Sequence, residues 1–159
     1  MEEEIIEIEE EGKIRHKKVF YDGIWFDSNL EVSIYKFLRK NNINPSYNKK
    51  TFELFPGFKP TVMFYERSKD RKTHKMTFRP NMAKIQNIKY TPDFIFDYKG
   101  WHIIVEVKGH PNERYPMVRK MFRKLLETTA KPNFVFMQVK SVGDMKQGLN
   151  ILEPYGKTE

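Results

Sequence analysis

The sequence predicts an α/β (α+β) protein, with one globular domain over residues 13–159 behind an acidic arm at residues 1–12. Three observations lead to this prediction. The length of 159 residues suits one domain, since domains most often hold ~100–150 residues. A hydrophobic fraction of 39% and an aromatic fraction of 14% are enough for a core. Strand-like and helix-like apolar patterns alternate along the chain, with no internal repeat and no low-complexity linker.

The first elements after the arm are a hairpin and a helix. Asp22-Gly23 stands between two apolar runs, 18–21 and 24–26, and Asp-Gly in that position is a strong hairpin signal. A helix then opens at Asp27-Ser28 and ends near Asn41-Asn42. Its apolar side chains follow the i, i+4, i+7, i+8 spacing of a core-facing stripe, and they are Leu30, Ile34, Phe37 and Leu38.

The middle of the sequence is less regular. Residues 46–55 look like a strand that Pro56-Gly57 stops. Segments 61–65 and 75–78 are strand-like, and the polar link between them is rich in bases. This basic insertion, about 61–89, is either a basic β-ribbon that tracks nucleic-acid phosphates or a mobile, solvated loop.

A second hairpin is predicted for residues 90–108, with a tight turn at Lys99-Gly100. The register of this turn places Asp93 opposite Glu106. Strand alternation gives the hairpin one apolar face, formed by Phe94, Phe96, Tyr98, Trp101, Ile103, Val105 and Val107. The other face holds Asp93, Ile95, Asp97, His102, Ile104, Glu106 and Lys108.

The last third of the chain predicts helix, strand and helix. A helix over about 113–128 has a core stripe of Val118, Met121, Phe122 and Leu125. Residues 133–139 form a buried strand, and a last helix covers about 142–153. The core side of this last helix consists of Met145, Leu149 and Leu152.

Charge and composition narrow the function. The net charge is +8, and residues 1–11 hold seven glutamates, so residues 12–159 carry +15. A body this basic predicts a polyanionic partner, with nucleic acid first. The absence of cysteine excludes disulfides, a thiol nucleophile and thiolate zinc sites, and fits a reducing cytosol. No apolar run approaches the ~20 residues of a membrane helix, and the acidic start is unlike a signal peptide.

The acidic arm itself has several interpretations. Its isoleucines alternate with glutamates, which is compatible with an edge strand, a short helix or a solvated tail. A sharper hypothesis is that the arm competes with DNA for the basic surface.

Hydrolytic chemistry is expected where Asp93 and Glu106 face each other. Carboxylates opposed across a hairpin, with Cβ atoms ~5 Å apart, repel and destabilise it. A hard divalent cation such as Mg²⁺ would compensate, because it takes oxygen ligands together with waters and substrate phosphate. Lys108 would activate a water or stabilise a phosphorane, so the set fits phosphodiester hydrolysis. The alternative is a surface carboxylate pair relieved by Lys108.

These residues resemble a known signature. Pro92-Asp93, twelve further residues and then Glu106-Val107-Lys108 are similar to the motif of the PD-(D/E)XK nuclease superfamily. Glu31 resembles the upstream acidic residue of many such nucleases. Lys108-Gly109 followed by a basic helix resembles the phage endonuclease I family of Holliday-junction resolvases. Residues 18–139 as a whole resemble small phage-encoded nucleases of the superfamily.

The resemblance implies a restriction-endonuclease-like core, in which a central mixed β-sheet is flanked by helices. It implies that Asp93, Glu106 and the backbone carbonyl of Val107 bind Mg²⁺, with Mn²⁺ as a substitute. Lys108 would position the attacking water, and Glu31 would bind a second metal or a metal-bound water. Glu31 has a second interpretation, because Ser28-x-x-Glu31 is also a capping box in which Glu31 bonds to the Ser28 amide.

The function expected from the resemblance is a metal-dependent DNA endonuclease that resolves branched DNA in recombination. It would be a homodimer, because two strands must be cut, and would work in the cytoplasm, that of the host cell if phage-encoded. Alternatives are a duplex-cutting restriction-like or transposon-end nuclease, a nuclease acting on RNA, and a non-catalytic nucleic-acid-binding protein. The expected DNA contacts are Arg67, Lys69, Arg71, Lys72, Lys75, Arg114, Arg119, Lys120, Arg123 and Lys124.

Overall fold

A computed structural model describes residues 4–7, 17–109 and 112–153. The chain divides into two compact units, one within residues 1–51 and 91–159 and the other formed by residues 52–90. Of the predicted acidic arm, only Glu4–Glu7 lies among the described residues, and these four form a strand. The remainder of the arm lies outside them.

The chain contains strands and helices in mixed order, as an α+β protein does. The strands of the first unit are β1 Glu4–Glu7, β2 Lys17–Tyr21, β3 Ile24–Phe26, β4 Ser46–Tyr47, β9 Phe94–Tyr98, β10 Trp101–Val107 and β11 Phe134–Val139. Its helices are α1 Asn29–Lys40, α2 Tyr115–Thr129 and α3 Val142–Leu152. The second unit contains β5 Phe52–Phe55, β6 Tyr65–Lys69, β7 Met76–Pro80 and β8 Ile88–Tyr90.

The first hairpin is confirmed. β2 and β3 are antiparallel, and β1 pairs with the other edge of β2. Both turn residues have left-handed backbone, with φ of 52° at Asp22 and 75° at Gly23. Such a two-residue turn matches the right-handed twist of the strands, which is why Asp-Gly predicts a hairpin.

The first helix is also confirmed. α1 has Ser28 as its N-cap and Asn41 as its C-cap. Of the predicted stripe, Ile34 and Leu38 are fully buried. They join a core that includes one face of β2 and β3, formed by Val19, Tyr21, Ile24 and Phe26, together with residues of the central sheet.

The central sheet has the strand order β11-β10-β9-β4 and is mixed. β10 is antiparallel to β9 and parallel to β11. The predicted register of the second hairpin is confirmed from Trp101–Tyr98 to Val105–Phe94, around a left-handed turn at Lys99-Gly100. Strand pairing stops at Val105–Phe94, so Asp93 lies one residue beyond the paired strands.

Both faces of this sheet are covered. The predicted apolar face packs on α3 and α1 in the main core. On the opposite face, the ring of Phe122 from α2 lies 5.0 Å from the ring of Phe136. Ile104 and Glu106 on that face are buried. The alternative of a surface carboxylate pair is therefore wrong for Glu106, because a helix lies over this face.

Several predicted boundaries are corrected. A single strand over 46–55 is wrong, since β4 ends at Tyr47 and β5 starts at Phe52. The break follows from Asn48, whose backbone is left-handed (φ 50°) and whose amide donates to the Asp93 carbonyl. The predicted strand at 133–139 exists as β11, but it is an edge strand and mostly half-buried. α2 begins at Tyr115, where the Asn112 side chain accepts the Tyr115 amide.

The second unit contains two separate antiparallel pairs, β5 with β8 and β6 with β7. The predicted strand at 61–65 is wrong in its extent, because β6 starts only at Tyr65 and continues through the expected link to Lys69. The β6–β7 pair is the basic ribbon that the sequence offered as one alternative. Asp70 forms its turn by accepting the amides of Lys72 and Thr73.

Candidate active site

Asp93 is held in place from two sides at the start of β9. Its side-chain Oδ2 accepts the Val107 amide at 2.6 Å. Its backbone carbonyl accepts the Asn48 amide at 2.8 Å. Position 93 lies beyond the last strand pair, so the Val107 amide donates to the side-chain carboxylate of Asp93 instead of to a backbone carbonyl of a paired strand. The aspartate of the predicted motif is thus fixed against the residue between Glu106 and Lys108.

Glu106 and Lys108 form an ion pair at the end of β10. Residues i and i+2 of a strand share one face, and Lys108 Nζ lies 3.0 Å from Glu106 Oε1. Glu106 is only 5% exposed. The Lys108 amide donates to the Val139 carbonyl, which continues the β10–β11 pairing past the end of β10. The structure therefore brings Asp93, Glu106 and Lys108 together, as the sequence predicted.

The surroundings of Asp93 oppose the negative charge of its carboxylate. Burial is the largest cause that raises the pKa of Asp93, to about 8, and the Glu106 carboxylate is the next. Glu31 raises this pKa further, while the Val107 amide and Lys108 lower it. The raising effects are the stronger, so the site favours a bound proton or cation at Asp93.

Glu31 both caps α1 and contributes to the charge around Asp93. Its Oε1 accepts the Ser28 hydroxyl at 2.9 Å, and its Oε2 accepts the Asp27 amide at 3.1 Å. The predicted capping box is thus altered, because the amide accepted is that of Asp27 rather than Ser28. Glu31 is 7% exposed, and burial raises its pKa despite these hydrogen bonds. The two interpretations of Glu31 are compatible in this arrangement.

Three residues at the site were missed by the sequence reasoning. The Tyr47 hydroxyl donates to Glu31 Oε2 at 2.6 Å. The Tyr115 ring lies under two cations, with Lys108 Nζ 4.5 Å and the Arg119 guanidinium carbon 5.9 Å from its centroid. Gln138 is the strand partner of Glu106. A polar residue within the apolar strand FVFMQV was a usable signal for Gln138, whereas Tyr47 and Tyr115 gave none.

The predicted DNA contacts differ in accessibility. Arg114, Lys120, Arg123 and Lys124 on or beside α2 are exposed. Arg119 is half-buried, and its guanidinium donates to Gln138 Oε1 at 2.8 Å. Arg119 therefore belongs to the surroundings of Glu106 as well as to the helix surface. The predicted contacts of the second unit are all exposed, and they are Arg67, Lys69, Arg71, Lys72 and Lys75.

A groove of about 730 Å³ runs between α2 and the edge strand β11. Arg119, Arg123 and Lys131 line it together with Phe134 and Phe136, and Glu127 is the acidic side chain in this lining. The groove therefore has a cationic wall beside the site.

A metal ion would need ligands beyond side chains. Within residues 4–7, 17–109 and 112–153, no group of three or more histidine, aspartate or glutamate side chains is arranged to hold a metal. The donor set at Asp93 and Glu106 consists of hard carboxylate oxygens, which suits Mg²⁺, an ion that keeps several waters and uses only one or two carboxylates. The Glu106 and Glu31 carboxylates, which both raise the pKa of Asp93, fit the same ion.

The fold and the site define an α+β protein with a buried and a half-buried carboxylate and a lysine at one end of a mixed sheet. The chain belongs to the family described as "Protein of unknown function (DUF1064)", whose profile matches residues 11–143. No curated protein sequence matches the chain. In the described part of the chain, no helix has both the length and the apolar character needed to cross a membrane.

Proposed function

We propose that the protein is a metal-dependent DNA endonuclease of the PD-(D/E)XK type that cuts branched DNA. One observation carries the proposal. Asp93 is half-buried, Glu106 is buried and the two carboxylates repel each other, and Lys108 lies 3.0 Å from Glu106, at the end of a single hairpin. Two carboxylates and a lysine in this arrangement suit hydrolysis of a phosphodiester, where negative charge builds up on phosphate oxygens.

Each residue has a role that follows from its contacts. The carboxylates of Asp93 and Glu106, with the Val107 carbonyl, would hold Mg²⁺, or Mn²⁺ in its place. When bound, the ion would lower the pKa of water and neutralise charge on the scissile phosphate. Asp93 is oriented for this by the Val107 amide. Glu31 is kept in place by the Tyr47 hydroxyl, and its carboxylate is near enough to Asp93 to raise the pKa of Asp93.

Lys108 is the candidate for positioning the attacking water. Its side chain is 21% exposed while its ammonium group is paired with Glu106. The Tyr115 ring beneath it restricts its movement through a cation–π contact. A lysine held in this way can donate a hydrogen bond to a water or to a phosphate oxygen without leaving the site.

DNA is the proposed substrate because cationic side chains occur on both units. The α2 surface carries Arg123 and Lys124, and the β6–β7 ribbon carries Arg67 and Lys69. Two such surfaces in each subunit, doubled in a homodimer, would hold the diverging arms of a branch point. Symmetric cutting of two strands also requires two active sites, which is the reason for proposing a dimer. The proposed place of action is the cytoplasm.

The experiment that tests the proposal compares three substrates and three ion conditions. Labelled four-way junction, linear duplex and single-stranded DNA are incubated with Mg²⁺, Mn²⁺ or EDTA. We expect paired cuts near the branch with either ion and none in EDTA. Lys108→Ala is the inactive variant. Lys146→Ala is the matched control that retains activity, because Lys146 is an exposed lysine of α3 and is not among the expected DNA contacts.

The same experiment separates the alternatives. Efficient cutting of linear duplex without a junction preference would indicate a restriction-like nuclease. Tight binding with no cutting under any condition would indicate a non-catalytic nucleic-acid-binding protein and would refute the proposal.

A further inference from the structure

The two faces of the β6–β7 ribbon differ in composition. The register pairs Arg67 with Phe78 and Lys69 with Met76, so these four side chains lie on the same face. Tyr65, paired with Pro80, completes it. We call this surface the open face. It contains two cations, two aromatic rings and a methionine, and no carboxylate.

The acidic residues of the ribbon lie elsewhere and are bonded. Glu66 is the strand partner of Arg79, and both lie on the opposite face. Glu66 Oε1 accepts a hydrogen bond from the side-chain amide of Asn81 at 2.7 Å. Asp70 forms the turn and accepts Arg79 Nη1 at 2.9 Å. The open face is therefore positive with no compensating acid of its own.

The apolar groups of the open face are strongly exposed. Phe78 is 68% exposed, Met76 56% and Tyr65 48%. The Tyr65 and Phe78 rings are stacked, with centroids 5.8 Å apart and planes 23° from parallel. Aromatic rings usually bury their surface, so a stacked pair left in solvent marks a surface that binds something.

We infer that the open face of the ribbon binds unpaired DNA bases by stacking them on Tyr65 and Phe78, while Arg67 and Lys69 contact the phosphates. Every base has a flat π-face, and the phosphates that join bases require cations at short intervals. The alternation of rings and cations on one open strand pair supplies both. A duplex offers its phosphates and base edges but no free base faces, since its bases are already stacked on each other.

The inference extends the proposed function by naming the feature of the substrate that is recognised, which is unpaired nucleotides such as those at a branch point. It rests on the proposed function only in taking DNA as the nucleic acid. Binding by the ribbon does not require cleavage, so the two can fail separately.

The test measures binding in EDTA with the full-length protein. The probes are a fluorescent single strand of thymidines, a strand of equal length made of abasic sites, and a duplex. The abasic strand has the same phosphates and no bases, so it separates stacking from charge. The key variant is Tyr65→Ala/Phe78→Ala. Trp25→Ala, which removes an exposed ring from the first unit, is the matched control.

We expect the double variant to lose at least about tenfold in affinity for the thymidine strand and to stay within about twofold for the abasic strand, because each stacked base contributes an appreciable share of the binding energy. Arg67→Gln should weaken both strands alike. Phe78→Trp, which keeps an aromatic ring, should retain binding to the thymidine strand. Phe78→Leu, which keeps only apolar bulk, should weaken it. Circular dichroism and thermal unfolding check that each variant is folded.

Other outcomes would overturn the inference. Equal loss on thymidine and abasic strands would show that the rings do not stack on bases. Unchanged DNA binding with a changed sedimentation coefficient would identify the open face as a protein interface. If the double variant loses its binding to anionic lipid vesicles but keeps its binding to DNA, the open face is a membrane-surface site.

The proposed function and the inference can also be told apart. Retained strand binding in a wild type that never cuts DNA would refute the proposed function and leave the inference standing.

Discussion

Asp93→Asn provides the sharpest test of the carboxylate pair formed by Asp93 and Glu106. Asparagine keeps an oxygen that accepts the Val107 amide and removes the charge that Glu106 and burial oppose. Because the folded state raises the pKa of Asp93, it binds the proton more tightly than the unfolded state does. The stability gained from that proton is complete below the ordinary pKa of aspartate and is lost as the pH rises through about 8.

The size of the effect follows from the shift. One pKa unit corresponds to about 1.36 kcal/mol, so the change from 3.8 to about 8 gives a ceiling of about 6 kcal/mol. Asp93 is only half-buried and shares its titration with Glu106, so we expect a smaller effect, about 2 kcal/mol. For a protein of this length that corresponds to about 4–8 °C in Tm.

The assay is thermal unfolding of wild type and Asp93→Asn at pH 4, 6 and 8.5 in EDTA. The two proteins should have the same Tm at pH 4, and the variant should be the more stable at pH 8.5. Millimolar Mg²⁺ should then raise the Tm of the wild type by mass action and leave the variant nearly unchanged. Asp97→Asn is the control. Asp97 lies in β9, the strand that follows Asp93, but its side chain is exposed and is bonded to His102.

Parallel pH profiles for wild type and Asp93→Asn in EDTA would refute this reasoning. They would show that folding does not raise the pKa of Asp93. No Mg²⁺ or Mn²⁺ stabilisation of the wild type would count against a metal site.

Three further predictions concern activity and binding. Lys108→Ala should abolish cleavage and keep DNA affinity within a few-fold. The affinity is measured at several salt concentrations, because a plot of log affinity against log salt concentration has a slope of about −0.9 per phosphate contacted. Cleavage at the wild-type rate would disprove the role of Lys108. Glu31→Gln should lose far more activity than stability, since the one amide oxygen of glutamine can accept both hydrogen bonds that Glu31 Oε2 accepts, from the Tyr47 hydroxyl and the Asp27 amide. Full activity would leave Glu31 as a cap alone. A four-way junction should bind more tightly than linear duplex at matched salt, and neutralising the ribbon bases should reduce that preference more than duplex binding; equal affinities with cuts spread along the arms would contradict it. The ribbon bases to neutralise together are Arg67, Lys69, Arg71 and Lys72.

Local patterns in the sequence determined the hairpins, the first helix and the main members of the site. Asp22-Gly23 and Lys99-Gly100 adopt the left-handed backbone of two-residue turns, and such turns set the strand register. Alternation along the second hairpin brings Glu106 and Lys108 to one face, and the amide of Val107 between them holds the Asp93 side chain, which lies just beyond the paired strands. These relations span only a few residues or one hairpin, which is why they are readable from the order of amino acids.

Tertiary structure decided the burial, the charge balance and the supporting contacts. Tyr47 reaches Glu31 across 16 residues, and Arg119 reaches Gln138 across 19. Glu106 is buried because β11 pairs alongside it and α2 packs on the same face of the sheet. The strand expected at 46–55 breaks because Asn48 bonds to Asp93, far away in the chain. No local periodicity encodes such contacts, since they depend on which elements the folded core brings together.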